Sequence, residues 1–341
     1  MSDSNRMYEL EYPGPSAQSA DGEEGLSMVI ALQGYADAGQ GVRQASQHLL
    51  QALDHSAVAT FNVDELIDYR SRRPGVTLDR GRVVDRENLA LTLYRMEDSD
   101  GQPFMLLAGP EPDLRWEAFS RAVAELASRS GVDRVVTFYA APMTVPHTRP
   151  LIVTAHGSDS SLTRDLRTWE SRMIIPGAAM LDVELLLSRG GLSTLGLTAH
   201  VPHYIAASDY PEAAYGLLHT LESVADLNLP LRALEADMDK VRQQLADQVD
   251  DSAEIASVVG ALERQYDEDQ SRQRKRKDNA LLAPGQEVPS GEEISAEVER
   301  FLASAVDSPE DIDNEVDGNG SESDTEDGQH PTDEDPDNRD R

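Results

Sequence analysis

No cysteine occurs among the 341 residues, so disulfides, thiolate nucleophiles and thiolate metal sites are all excluded. No apolar run approaches the roughly 20 residues that span a bilayer. The first thirty residues also lack the basic start and apolar stretch of a signal peptide. Basic side chains are scarce, with 30 Lys and Arg against 63 Asp and Glu and a formal charge of -33. Such a field repels nucleic acid and anionic membrane surfaces, because phosphate contacts need cationic side chains. The expectation is a cytoplasmic protein with no nucleic-acid and no membrane partner. Apolar residues are few as well, at 39%, but the deficit is local. Residues 305–341 hold 15 acidic side chains against Arg339 and Arg341. That tail cannot offset its ordering entropy and is expected to be a disordered acidic segment.

Several catalytic signatures are missing. There is no Gly-Lys-Ser/Thr phosphate loop, no Gly-x-Gly-x-x-Gly and no Gly-x-Ser-x-Gly elbow. No His-x-x-x-His or Glu-His spacing supports a metal. Neither a metal nor another cofactor is expected.

What is present alternates. Met28–Leu32 reads as a buried strand, and Val42, Ala45, Leu49 and Leu53 then share one helix face. Ala57–Phe61, Leu89–Arg95 and Phe104–Leu107 read as strands, and Leu114–Arg129 as an amphipathic helix closed by Gly131. Val135–Tyr139 and Leu151–Thr154 follow as strands, Asp165–Glu170 as helix and Met173–Ile175 as a short strand. Ala178–Ser188 is a helix, Leu195–Ala199 a strand and Glu212–Val224 a helix. Strands separated by helices of ten or more residues imply an α/β fold with a mainly parallel, helix-covered sheet.

From Pro230 onward no strand pattern is visible. Leu231, Leu234, Met238, Val241 and Leu245 mark one helix. A capping box at Asp251 and Glu254 opens a second, and Ser290 with Glu293 a third. The expected organisation is a loose arm over 1–25, an α/β core over 26–229, an all-helical appendage over 230–304 and the acidic tail from 305.

Two copies of Val-Pro-His mark a place on the molecule, at 145–147 and 201–203, each ending an apolar strand-like run. Both histidines thus belong to loops at strand ends, where open α/β sheets keep their clefts. His147, Thr148 and Arg149 are confined between Pro146 and Pro150, and suit an anionic or polar ligand. Equally, Arg149 can pair with a neighbouring acid. His203 shares the context of His147. The turn from Gly34 through Asp37 and Gly39 to Gly41 lies where α/β folds seat an anion at a helix N-terminus. It can also be a tight turn in which Asp37 caps the helix. Glu111, in Gly-Pro-Glu-Pro-Asp, stands at a strand end where a carboxylate can serve as base or ligand, while Asp113 is read as capping the helix that follows. Glu184, inside an apolar helix, is read as an exposed edge.

Taken together, the 34–41 turn, Gly-Pro-Glu-Pro-Asp at 109–113, Val-Pro-His-Thr-Arg-Pro at 145–150 and Val-Pro-His-Tyr-Ile-Ala at 201–206 resemble the proteasome assembly chaperone 2 family. The likeness is to its prokaryotic branch with a helical C-terminal extension, and spans roughly 28–305, including Glu-Val-Glu-Arg-Phe-Leu at 297–302. The resemblance implies a three-layer α/β/α sandwich similar to nucleoside phosphorylases and peptidyl hydrolases, often assembled as homo-oligomers. Ala-Met-x-x-x-Glu ending at Glu184 is faintly similar to the phosphorylases' ribose contact, with a different spacing. Eukaryotic members dock through a C-terminal hydrophobic-Tyr-x motif; this chain ends Asn-Arg-Asp-Arg, so that mode is not carried over. Two functions stay open. One is a homo-oligomeric, chaperone-like scaffold for an unidentified protein partner. The other is an enzyme or ligand binder whose single cleft gathers Gly34, Asp37, Gly39, Glu111, His147, Arg149 and His203 around a nucleoside-like or anionic ligand.

Overall fold

The computed structural model describes residues 7–11, 25–169 and 171–278, with side chains as far as Arg272. The strands are β1 (Tyr8–Leu10), β2 (Leu26–Gln33), β3 (His55–Phe61), β4 (Val76–Asp79), β5 (Arg82–Arg86), β6 (Thr92–Glu97), β7 (Pro103–Pro110), β8 (Val132–Met143), β9 (Val153–Gly157), β10 (Arg167–Thr168) and β11 (Ser193–Pro202). The helices are α1 (Gly41–Ala52), α2 (Val63–Leu66), α3 (Trp116–Arg129), α4 (Ser160–Thr163), α5 (Ala179–Arg189), α6 (Pro211–Ala225), α7 (Arg232–Asp250) and α8 (Ala253–Asp278).

Nine strands form one sheet in the order β1-β3-β6-β7-β2-β8-β11-β9-β10. The central block β7-β2-β8-β11 is parallel throughout. These strands are buried on both faces, which is why they read in the sequence as continuous apolar runs rather than alternating ones. Their side chains still sort by parity. Val29, Leu106, Phe138 and Leu197 face α1 and α6. Ile30, Leu107, Val135 and Tyr139 face α3 and α5. The result is a three-layer α/β/α sandwich, the architecture the resemblance implies.

Helix ends follow local chemistry. Pro211 takes the first turn of α6, where its missing N–H is harmless. The Ser252 hydroxyl accepts the Ile255 N–H at 3.4 Å, so Ser252 caps α8 and Asp251 ends α7. The capping box expected at Asp251 is displaced by one residue.

The sheet's margins depart from the sequence pattern. Within the stretch read as a loose arm, β1 pairs antiparallel with β3, and Met7 is 1% exposed. Three residues carry too little periodicity to announce a strand; pairing across some fifty positions makes one. Of the helix expected over Asp165–Glu170, the described residues as far as Trp169 form none: a turn of helix ends at Thr163 and Arg167–Thr168 forms the edge strand β10. Met173–Ile175 belongs to no strand and is exposed. The hairpin β4–β5 lies outside the main sheet, turning through Arg80 and Gly81 at positive φ.

Beyond residue 230, α7 and α8 are helical as the spacing predicts. Leu231, Leu234 and Leu245 join the same hydrophobic cluster as Val201, Leu217 and Leu221. The third helix expected after Ser290, and the tail from 305, lie outside the described residues.

Candidate functional site

The glycine turn leaves β2 at its carboxyl end. Gly34 lets Glu111 approach: a Cβ there would stand 2.0 Å from Glu111 Oε2. That carboxylate is 5% exposed and accepts the Tyr35 N–H at 3.1 Å and the Ala179 N–H at 2.8 Å. Ala179 is the first residue of α5, so Glu111 ties the turn to a helix N-terminus. Each of its oxygens thus already accepts a backbone N–H of this chain. Asp37 accepts the Val42 and Arg43 N–H groups at 2.7 and 3.3 Å. Its carboxylate therefore occupies the positive end of α1 that an external anion would need. Burial pushes its pKa up to about 6, against the pull of both amides and of Arg43. Gly39, at φ 63, donates to Ala206 O at 2.7 Å and accepts from Tyr210 N at 2.8 Å, which pins the turn to the loop after β11.

The two histidine loops meet at Tyr204. Its hydroxyl accepts the His147 backbone N–H at 2.9 Å and lies 2.7 Å from His147 Nδ1. Ring centroids stand 5.8 Å apart for His147 and Tyr204, and 5.4 Å apart for His203 and Tyr204. His147 is 9% exposed, and burial lowers its pKa. His203 is exposed, at the start of a short 3-10 turn over His203–Ile205.

Arg149 has partners of its own. Nε and one terminal nitrogen grip Asp267 at 3.0 and 2.9 Å, and the other terminal nitrogen donates to Glu263 at 2.9 Å. Thr148 also donates to Glu263, and Tyr266 donates to Pro150 O at 3.0 Å. The fork that suits an anionic ligand is filled by α8. Asp113 does not cap α3; it accepts the Asp68 N–H at 2.9 Å and faces Arg72. Trp116 donates to Pro112 O at 2.7 Å.

The seven candidate residues do not share one hollow. His147 and Arg149 line a cavity of about 660 Å³ with Arg167, Glu212, His219 and Arg242. Gly34 and Asp37 line another of about 490 Å³. Gly39, Glu111 and His203 line neither. The sheet brings these loops to one edge, since β2, β8 and β11 are parallel neighbours; the division lies beyond the strand ends, where α8 lies across His147–Pro150.

Sequence reasoning missed a buried polar cluster under α5. Glu184 is 6% exposed rather than at an exposed edge. Its Oε1 accepts the Tyr139 hydroxyl at 2.7 Å and its Oε2 accepts His156 Nε2 at 3.0 Å. The bond to Glu184 raises the His156 pKa, while burial and then Glu184 drive Tyr139 well up. The imidazole crosses the face of β11 at Gly196, where a Cβ would lie 2.1 Å from it. A glutamate inside an apolar helix was the visible signal; its partners come from two strands and needed the sheet order. Among the described residues no group of three His, Cys, Asp or Glu side chains is arranged to hold a metal, and no helix is long and apolar enough to cross a membrane.

No functionally curated protein matches this chain. A protein of unknown function from Corynebacterium glutamicum is 52% identical, with 78% of this chain and 99% of that chain covered at a TM-score of 0.75. A PAC2 family protein from Streptomyces avermitilis is 30% identical, covering 68% and 99%, at a TM-score of 0.60. A proteasome-assembly chaperone homologue from Mycobacterium tuberculosis, 24% identical over 69% and 100%, shares the fold at a TM-score of 0.63. The PAC2 family model matches residues 31–249, which takes in the glycine turn, both Val-Pro-His loops and α7 as far as Val249. The chain belongs to the PAC2 family.

Proposed function

We propose that this protein is a cytoplasmic, chaperone-like scaffold that assembles with copies of itself and holds a protein partner, with proteasome subunits as the partner class. The partner class comes from what the Mycobacterium tuberculosis relative is called. The observation that carries the reading is the hairpin β4–β5. All nine of its residues are exposed, among them Val76 at 52%, Leu78 at 69%, Val83 at 70% and Val84 at 56%. A lone two-stranded hairpin is marginal in water, and one that offers apolar side chains to solvent fits a contact surface. The polar groups named from the sequence support the same reading, since Asp37, Glu111 and Arg149 hold backbone or side chains of this chain.

The test is light scattering coupled to size exclusion on the full chain and on Leu78→Glu. The wild type is expected as a multimer and the variant as a smaller species with the circular dichroism spectrum of the folded wild type, because Leu78 is largely exposed. Crosslinking to added proteasome subunits should fall in the variant. A monomeric wild type, or a variant with undiminished assembly and crosslinking, overturns the proposal.

A further inference from the structure

The cavity beside the glycine turn lies where the topology opens a crevice. β2 and β7 are adjacent and parallel. The helix that follows β2 is α1, whose Val42, Ala45 and Leu49 pack on one face of the sheet. The helix that follows β7 is α3, whose Phe119, Val123 and Leu126 pack on the other. Adjacent strands whose connections leave to opposite faces part at their carboxyl ends, and open α/β sheets bind ligands at that point.

The walls carry more free donor capacity than free acceptor capacity. Three guanidinium groups, of Arg43, Arg72 and Arg73, line a space of about 490 Å³. Arg72 is preorganised, since one terminal nitrogen donates to Gln33 O and Glu111 O, both at 3.2 Å, at the ends of the parting strands. Arg43 is held by Asp209 at 2.9 Å, and its Nε is buried with no hydrogen-bond partner among the described residues. The other terminal nitrogen of Arg72 lies 3.9 Å from Asp113, while Arg73 is exposed and has no ion pair among the described residues. The wall also holds two carboxylates: Asp37 accepts the α1 amides, and the exposed Glu87 accepts the Gly75 N–H at 2.9 Å. Gln33, Gln40, Gln47 and Asn88 add amides able to donate and accept. A planar guanidinium grips an oxyanion through two N–H groups at once. The volume is that of a small-molecule site.

We propose that this cavity binds a small organic anion, a carboxylate or phosphate ester with a polar body, whose oxyanion is taken by Arg72 and Arg73. The site is independent of the scaffold reading, which rests on the β4–β5 hairpin.

Isothermal titration calorimetry on the full chain, at ionic strength matched with NaCl, tests it with succinate and ribose 5-phosphate as probes. At least one probe is expected to bind with a Kd below about 1 mM. Arg73→Ala should weaken that probe about tenfold or more, and Arg73→Glu should abolish binding; because Arg73 is exposed, both variants should melt like the wild type. Arg149→Ala, in the other cavity, should bind unchanged. Succinate alone binding assigns a carboxylate, ribose 5-phosphate alone a phosphate. Silence from both probes, or undiminished binding by both Arg73 variants, overturns the proposal.

Discussion

Asp37 shows how one carboxylate can cap a helix and still be unfavourably charged. Two amides favour its ionised form, yet burial wins and the folded-state pKa rises to about 6. The ordinary aspartate value is about 3.9. A group raised on folding adds stability below the unfolded value and loses it as pH climbs through the folded one. Two units correspond to roughly 3 kcal/mol at most. Asp37→Asn removes this titration while keeping one acceptor for the Val42 N–H. The melting temperature of wild type minus that of Asp37→Asn is therefore expected to fall between pH 4 and 7. A difference that stays flat across that window would mean the carboxylate is not desolvated. At this scale the sequence was informative about residue type and silent about partner. Asp37 as a cap was one of its two readings. Glu263 and Asp267 were invisible as partners of Arg149, because more than a hundred residues separate them.

At the scale of elements, length and burial decided what could be read in advance. β2, β8 and β11 are long and buried on both faces, so their apolar runs stand out. β1, β4, β5 and β10 are short edge or hairpin strands, shaped by pairing rather than by composition. Helix α8 is a different case, since its polar links matter as much as its apolar ones. Of its side chains as far as Arg272, Val259 and Leu262 alone are buried. Its other anchors are Glu263, Tyr266 and Asp267 on the His147–Pro150 loop. Arg149 and its two acids lie at the surface, where solvent screens their ion pairs. Arg149→Ala removes both pairs together, so residues 253–272 should exchange amide protons about 5–30-fold faster. The global melting temperature should change little. Unchanged exchange in α8 would mean that Val259 and Leu262 hold the helix unaided.

For the whole molecule, the question is whether the chain past Pro230 is an appendage. Leu231, Leu234 and Leu245 are buried in the cluster that joins α1 and α6 to the sheet. A residue in a shared core costs about 2–5 kcal/mol when cut to alanine. Leu234→Ala should therefore lower the unfolding free energy read from one cooperative urea transition of the α/β sandwich by that amount, with the midpoint moving down accordingly. A separate early transition, with the main one unmoved, would make α7 an independent unit. The family and the layered fold were legible from the combined motifs. The single cleft was not: the turn after β2 and the loop after β8 line different cavities, and His203, after β11, lines neither.

Local chemistry alone was enough to settle the type and order of the long elements, the absence of thiol chemistry and the excess of acidic charge. Burial periodicity and composition are properties of neighbours along the chain. Tertiary structure decided which carboxylates are free. Glu111, Glu184 and Asp37 look alike in sequence, but each meets a different set of amides, rings and guanidinium groups brought from distant segments. Strand order and register, which no local pattern encodes, determine those meetings.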